Sequence, residues 1–239
     1  MLNNRIMRKL IIISMLVATV SLSAQGPNET QYAAYLKASK TLWEKSVKEA
    51  KKEHGDKSFE HAIALYGLLN STMASQDEET FNFYKEETVD LLKELIEDNE
   101  KWGEPRAVLS SVYGLVMAYS PMKGMFLGMK SSSLMEEAVD LQPESPLVQK
   151  LFAGSKLYTP EMWGGDPEKA KESFQKSLTL FDENDKESNW LYLDTMMGLA
   201  MAYQKVGEEE NAIETLEKAI AMESQYYWAI TTLEKLKKS

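Results

Sequence analysis

Few side chains of this 239-residue chain could carry out metal or nucleophile chemistry. It has no cysteine and only two histidines, His54 and His61, whereas a zinc site gathers three or four Cys, His or acidic ligands. The two histidines lie on either side of Gly55-Asp56, where a helix break is expected. Ordinary surface or packing roles are therefore the better interpretation for both, and the sequence predicts no metal site.

The other catalytic patterns also fail on residue type or spacing. Gly164-Gly165 lacks the spaced lysine and hydroxyl of a phosphate-binding loop. The glutamate-rich stretches 77–100 and 208–217 contain interleaved apolar residues at helical spacing, which is typical of solvated helix faces. Paired carboxylates of the glycosidase kind act across space, but no motif nominates a pair. We therefore predict a protein that is not an enzyme and needs no cofactor.

The first 24 residues have the order of a signal peptide. Arg5, Arg8 and Lys9 precede the apolar run 10–20, and small residues follow up to Ala24. That run has 11 residues, whereas a helix needs about 20 to cross a membrane. We predict cleavage near Ala24, no transmembrane anchor afterwards, and a location in the periplasm of a Gram-negative bacterium or outside the cell. An uncleaved anchor is the alternative.

The charge balance restricts the class of partner. Without the three basic residues of the signal peptide, the 27 Lys and Arg fall to 24 against 37 Asp and Glu, which gives a formal charge of −13. Such an excess repels nucleic acid and anionic lipid surfaces. Basic or neutral protein partners fit better, and no nucleic acid is expected.

An internal repeat indicates the fold. Tyr119-Ser120-Pro121 recurs 39 positions later as Tyr158-Thr159-Pro160. The pattern small-x3-large-x2-small occurs three times, as Ser131/Met135/Ala138, Ala170/Phe174/Ser177 and Ala212/Leu216/Ala219. This spacing puts all three residues on one helix face, where small side chains let a neighbouring helix approach. The repeat predicts equivalent second helices of stacked helix pairs near 126–141, 167–181 and 209–222.

The helix before the third copy carries a family resemblance. It reads Met196-x2-Leu199-Ala200-x2-Tyr203, with Gly207 in the turn that follows. Over residues 193–226 the chain resembles the tetratricopeptide repeat family, whose pattern is Trp-x2-Leu-Gly-x2-Tyr followed by Ala-x3-Phe. The resemblance implies an all-α superhelix of stacked helix-turn-helix repeats that forms one domain over 25–239. The last expected helix, 225–238, combines Trp228, Ile230 and Leu233 with a charged tail and is expected to cap the final repeat.

Helical periodicity and breakers place ten helices along the chain. Their expected ranges are 29–54, 57–74, 77–98, 105–120, 126–141, 145–158, 167–181, 188–206, 209–222 and 225–238. Two of the turns are five residues longer than the third, and Pro121 and Pro160 end the helices before them. After the second long turn, Asp166 is an expected N-cap with Pro167 at the first helical position.

Two narrower resemblances concern residues 105–180. Their Tyr-Ser-Pro-Met-Lys-Gly and Tyr-Thr-Pro segments resemble exported bacterial tetratricopeptide proteins of unassigned role. The run from Gly164 to Phe174 is similar to the helical-repeat subunit associated with some TRAP-type transporters. That second likeness implies engagement with a solute-binding protein.

The candidate binding residues fall in two places. First helices of such pairs line the concave groove of the superhelix, and long turns on a rigid scaffold often carry function. The candidates are Ser111, Tyr119, Lys150, Tyr158, Trp163, Met197, Met201, Gln204 and Lys205. The aromatic and methionine side chains around the long turns fit either padding of the extra space or an adaptable apolar patch or pocket mouth for a ligand. They are Tyr119, Met122, Met125, Phe126, Met129, Tyr158, Met162 and Trp163.

Together these observations predict an exported scaffold or adaptor. Its concave groove would hold another exported protein or a peptide segment. The alternative is a small-molecule-binding or transporter-accessory protein with a pocket near the two long turns. The sequence leaves the oligomeric state open.

Overall fold

A computed structural model describes residues 27–181 and 188–238. Those residues contain eleven α-helices and no strand, which confirms the all-α prediction. The helices are α1 Pro27–Leu36, α2 Lys40–His54, α3 Phe59–Ser75, α4 Glu78–Asp98, α5 Gly103–Tyr119, α6 Gly124–Leu141, α7 Pro146–Tyr158, α8 Pro167–Leu180, α9 Trp190–Lys205, α10 Glu209–Met222 and α11 Tyr227–Leu236. The predicted signal peptide, 1–24, lies outside the described residues.

The helices pack as five antiparallel pairs, from α1–α2 to α9–α10, with α11 packed against α10. The first helices of successive pairs contact one another, α1 with α3, α3 with α5, α5 with α7 and α7 with α9. They form the inner surface of the stack. α1 also contacts α9, so the first and last pairs meet across that surface. The segments predicted as second helices, near 126–141, 167–181 and 209–222, are α6, α8 and α10.

Small residues of the repeat lie where neighbouring helices approach most closely. Ala170 and Ser177 of α8 are fully buried, and the Phe174 ring between them faces α9. A Cβ atom at Gly198 would lie 2.4 Å from Cζ of Phe174, so only glycine fits against the ring. Ala212 and Ala219 repeat this role in α10, where both are buried. The spacing seen in the sequence is therefore a packing pattern.

The prediction of one helix over 29–54 is wrong. α1 ends at Leu36, Ala38 adopts a left-handed conformation with φ 46°, and α2 begins after Ser39. The Ser39 side chain accepts a hydrogen bond from the backbone N–H of Leu42 and so caps α2. The break was missed because neither glycine nor proline marks it. It turns α1 back along α2 and towards the inner surface.

The two long turns each contain a short 3₁₀ turn, Pro121–Lys123 and Glu161–Trp163. In the second, Gly164 has φ 95°, and a Cβ atom at Gly165 would lie 1.8 Å from the carbonyl oxygen of Thr159. Glycine is therefore required at both positions. The Asp166 side chain accepts a hydrogen bond from the N–H of Lys169, which confirms the expected N-cap of α8.

Candidate binding surfaces

The inner groove, defined as the surface formed by α1, α3, α5, α7 and α9, is closed at its C-terminal end. Lys150 of α7 and Asp194 of α9 form an ion pair there, with 2.6 Å between Nζ and Oδ2. Tyr35 of α1 donates a hydrogen bond of 2.9 Å to the other oxygen of Asp194, and its hydroxyl also meets that of Tyr226. These four residues form the ion-pair node, which joins the first pair to the last.

α1 makes further contacts with the C-terminal end of the stack. Trp190 donates an indole hydrogen bond of 2.9 Å to the amide oxygen of Gln31, and Tyr32 donates one of 3.4 Å to Glu223. The Trp190 ring also lies 5.8 Å from that of Tyr35 and 5.1 Å from that of Trp43. Side chains more than 150 residues apart in the chain thus complete one polar and aromatic interface.

Burial changes the titration of the ion-pair node. Burial by itself would lower the pKa of Lys150, but the charge of Asp194 and the hydrogen bond to it, together with the effects of Tyr66 and Tyr158, outweigh burial and raise the pKa above its ordinary value. Burial, followed by the nearby charge of Asp194, raises the pKa of Tyr35 and of Tyr226 well above 10.0. At neutral pH the lysine is therefore charged and both phenols are protonated donors.

The middle of the inner groove remains open. A Cβ atom added at Gly114 of α5 or at Gly154 of α7 would meet no atom within 4 Å. Tyr158, one helical turn beyond Gly154, is 62% exposed, and its hydroxyl lies 3.5 Å from the sulfur of Met201. The open groove, defined by these four residues, leaves room for another chain to approach two backbones closely.

The structure separates the nine candidate residues. Lys150 and Met197 are buried, at 5% and 1% exposure, so the expectation that they face an open groove is wrong. The cause is α1, whose return across the inner surface no local pattern signals. Tyr158 and Met201 border the open groove, and Trp163 lies in the second long turn.

Three of the other four candidates bond to backbone carbonyl oxygens of the protein. Tyr119 donates a hydrogen bond to the carbonyl oxygen of Thr72, and Ser111 donates one to that of Ala107. Lys205 donates to the carbonyl oxygen of Leu157, while Gln204 is half-buried near the end of α9. Sequence reasoning missed Gln31, Tyr35, Trp190 and Tyr226, for which it offered no signal beyond their being large polar or aromatic residues.

An apolar edge follows the two long turns. Met122, Phe126 and Met129 at the first turn are 80–90% exposed, and Met162 and Trp163 at the second are 87% and 66% exposed. Side chains that padded the turns would be buried, so the padding interpretation is wrong for these five residues. A surface of this kind on a helical scaffold is a marker of interaction.

An outer groove lies between the second helices α4 and α6, with α5 beneath. Its volume is about 480 Å³. It is lined by Lys85, Glu86, Val89, Asp90, Lys93, Tyr113, Val116, Lys123, Phe126 and Leu127. It therefore borders the first of the two long turns near which the sequence predicts a possible pocket.

The histidines and acids form no metal centre in the described part of the chain. No group of three or more His, Cys, Asp or Glu converges among the residues in 27–181 and 188–238. The His61 ring is buried, and its Nδ1 lies 2.9 Å from the carbonyl oxygen of Asp56, which fits a packing role. No helix in these ranges is long and apolar enough to cross a membrane.

Comparison with known proteins agrees with this architecture. Residues 193–226 match the tetratricopeptide repeat family. The fold is similar to that of the tetratricopeptide protein TTC0263 of Thermus thermophilus, at 16% identity and a TM-score of 0.55, over 89% of this chain and 98% of that one. It is also similar to YrrB, described as a tetratricopeptide protein with an unusual peptide-binding site, at 16% identity and a TM-score of 0.44, over 87% and 88% of the two chains. A search of curated proteins finds no match.

The fold is that of a helical-repeat protein. The chain carries one tetratricopeptide repeat at 193–226, which comprises most of α9 and all of α10. The likeness to the TRAP-type transporter subunit stays a prediction.

Proposed function

We propose that this protein is an exported scaffold that binds a segment of another exported protein in its open groove. The tetratricopeptide fold suggests a protein-interaction scaffold. The order of charge and apolarity in residues 1–24 supports export. The excess of carboxylates favours a basic or neutral partner.

The observation that carries this proposal is the pair of glycines in the open groove. Gly114 and Gly154 lie inside helices, where glycine costs about 1 kcal/mol relative to alanine. Neither is required by a close neighbour, because a Cβ atom would meet nothing within 4 Å at either position. Their absence of side chains lets an extended or helical segment lie against α5 and α7, beside the exposed ring of Tyr158.

The test fills the open groove without disturbing the core. Tagged mature protein and the variant Gly114→Leu/Gly154→Leu are crosslinked in the exported fraction of the native cells, and captured proteins are quantified. The variant should fold at least as well, because leucine has the higher helix propensity and an added Cβ meets no atom within 4 Å at either position. Capture of the partner should fall about tenfold or more.

Gln175→Leu is the control. Gln175 is exposed on the second helix α8, so the added leucine lies outside the inner groove. Equal capture by the wild type and the double leucine variant would reject the open groove as the site. Capture no greater than that of an unrelated acidic protein would reject the scaffold function.

The second candidate function is a small-molecule carrier or transporter accessory. The outer groove favours it, because a space of about 480 Å³ lies beside the first long turn. Native mass spectrometry of the purified protein tests it. A retained ligand that is lost in Phe126→Ser would support a carrier, whereas a clean mass of the protein alone would count against it.

A further inference from the structure

We propose that the outer groove is a second protein-binding site, and that it takes an amphipathic helix with apolar side chains on one face and carboxylates beside them. The site is separate from the open groove and lies on the other side of α5. It assigns a role to the apolar edge at the first long turn, which the proposed function leaves without one.

The floor of the outer groove is apolar. Val89 of α4, Val116 of α5 and Leu127 of α6 line it, together with the ring of Tyr113. The space between α4 and α6 takes several side chains but not a whole helix. A docked helix would therefore insert apolar anchors spaced three or four residues apart, which is the usual mode of helix-in-groove recognition.

Exposed apolar side chains continue this floor out to the rim. Phe126 lines the groove although it is 80% exposed, and Met122 and Met129 on either side of it are 90% and 80% exposed. Methionine is flexible and polarizable, and it is common on surfaces that adapt to a partner helix. Covering these side chains would remove apolar area from water at the point where the groove is already apolar.

The charge along the rim selects an acidic partner. Between residues 121 and 135 the only charged side chains are Lys123 and Lys130, in a chain with 37 carboxylates. Lys123 lines the groove, and the Lys130 ammonium lies 5.4 Å from the centre of the Tyr113 ring. Neither forms an ion pair with a carboxylate in the described part of the chain.

The opposite rim, on α4, carries both signs of charge. Lys93 is paired with Asp90 at 3.2 Å, and Lys85 bonds to Asn82. Glu86 also lines this side. The rim formed by the first long turn and α6 is therefore the basic one, and the carboxylates of a partner helix are expected to lie along it.

Two synthetic helices of about 18 residues, long enough for several anchors at that spacing, provide the probe. They share one leucine stripe, and the polar positions carry Glu in one peptide and Lys in the other. The mature chain has a formal charge of −13, so attraction by net charge alone would favour the Lys peptide. The proposal expects the Glu peptide to bind the mature protein more tightly, as measured by fluorescence anisotropy.

Charge reversal at the rim localises the binding. Lys123→Glu/Lys130→Glu should weaken the Glu peptide about tenfold or more. The matched control is Lys48→Glu/Lys52→Glu on α2, two lysines away from the groove whose reversal changes the net charge equally. Phe126→Ser should weaken binding as well, whereas Phe83→Ser, at a phenylalanine 77% exposed on α4, should not.

Three results would overturn the proposal. The first is that the Glu peptide does not bind. The second is that Lys48→Glu/Lys52→Glu weakens binding of the Glu peptide as much as Lys123→Glu/Lys130→Glu does, because this would indicate attraction by long-range charge only. A small molecule retained in native mass spectrometry and released by Phe126→Ser would assign the groove to that ligand. None of these results affects the test of the open groove, which rests on Gly114 and Gly154.

Discussion

Two regions of the molecule depart from the usual distribution of polar and apolar side chains. The closed end of the inner groove buries charged side chains, and the outer groove exposes apolar ones. The ion-pair node is buried between α1, α7 and α9, and Lys150 is only 5% exposed. At the outer groove, by contrast, Phe126 and its neighbouring methionines are largely exposed. Buried charge and exposed apolar patches are the two distributions that call for an explanation in a folded protein.

At the ion-pair node the chain supplies its own partners for the buried charges, whereas at the outer groove its described residues supply none for the exposed apolar side chains and no carboxylate for Lys123 and Lys130. Every charge in the ion-pair node has a partner from another helix pair, so the node is tolerated only while α1 stays in place. The outer groove has no such occupant in the described residues, and Lys123, Phe126 and Lys130 at its rim are exposed. Substitutions should therefore affect stability at the first site and binding at the second.

The largest effect is expected from Lys150→Met. Removing the lysine leaves the Asp194 carboxylate in a closed interface without its ion partner, which costs about 3–5 kcal/mol of unfolding free energy. Urea unfolding followed by circular dichroism measures this. Lys48→Met on α2 is the control and should change stability by less than about 0.5 kcal/mol. Similar small losses for both variants would mean that the node is open to water.

Tyr35→Phe should have the next largest effect. It removes the hydroxyl that donates to Asp194, and a hydrogen bond to a charged group is worth about 1.5–3 kcal/mol. Hydrogen exchange should speed up in α1 and α9 while α4 keeps its protection. The control is Tyr227→Phe, because that ring is 71% exposed. Uniform loss of protection through the chain would contradict a local role for α1.

Alkaline pH should open the same contact. The pKa of Tyr35 and of Tyr226 is raised by burial, so the folded state favours their protonated forms. The pKa of Lys150 is also raised, because the ion pair with Asp194 and the nearby Tyr66 and Tyr158 together outweigh the opposing effect of burial. A group whose pKa is raised in the folded state makes its full contribution to the free energy of unfolding below its unfolded pKa. That contribution is lost as the pH rises through the folded pKa.

For the tyrosines the unfolded value is 10.0 and for the lysine 10.5. Exchange protection of α1 should therefore hold up to about pH 10 and fall above it. A pH series of hydrogen exchange, corrected for the intrinsic rate, measures this. Loss of protection that begins near neutral pH would show that the node does not control docking of α1.

The smallest effect on stability is expected at the apolar edge. Met162→Ser and Trp163→Ala remove side chains that are 87% and 66% exposed, so unfolding free energy should change by no more than about 0.5 kcal/mol. Binding of an apolar dye to the folded protein should fall, because less apolar surface remains. A loss of more than about 2 kcal/mol would instead assign these residues to packing.

Part of the fold was readable from the sequence because it depends on neighbours along the chain. The small and large residues of α8 and α10 are four and three positions apart, and this spacing puts them on one helix face. Asp166 followed by Pro167 is a local signal for a helix start, and α8 begins there. The helix break at Ala38 could not be predicted, because serine also occurs inside helices and no glycine or proline accompanies Ser39.

The sequence by itself determined the helices from α3 onwards, the Asp166 cap of α8 and the two long turns. Only the tertiary structure decided that α1 meets α9, that Lys150 is buried and that the inner groove is open only in its middle section. The physical reason is that each pair rotates slightly against the next, and the closure depends on the sum of those rotations over all the interfaces between pairs. No residue pattern within one pair contains that sum.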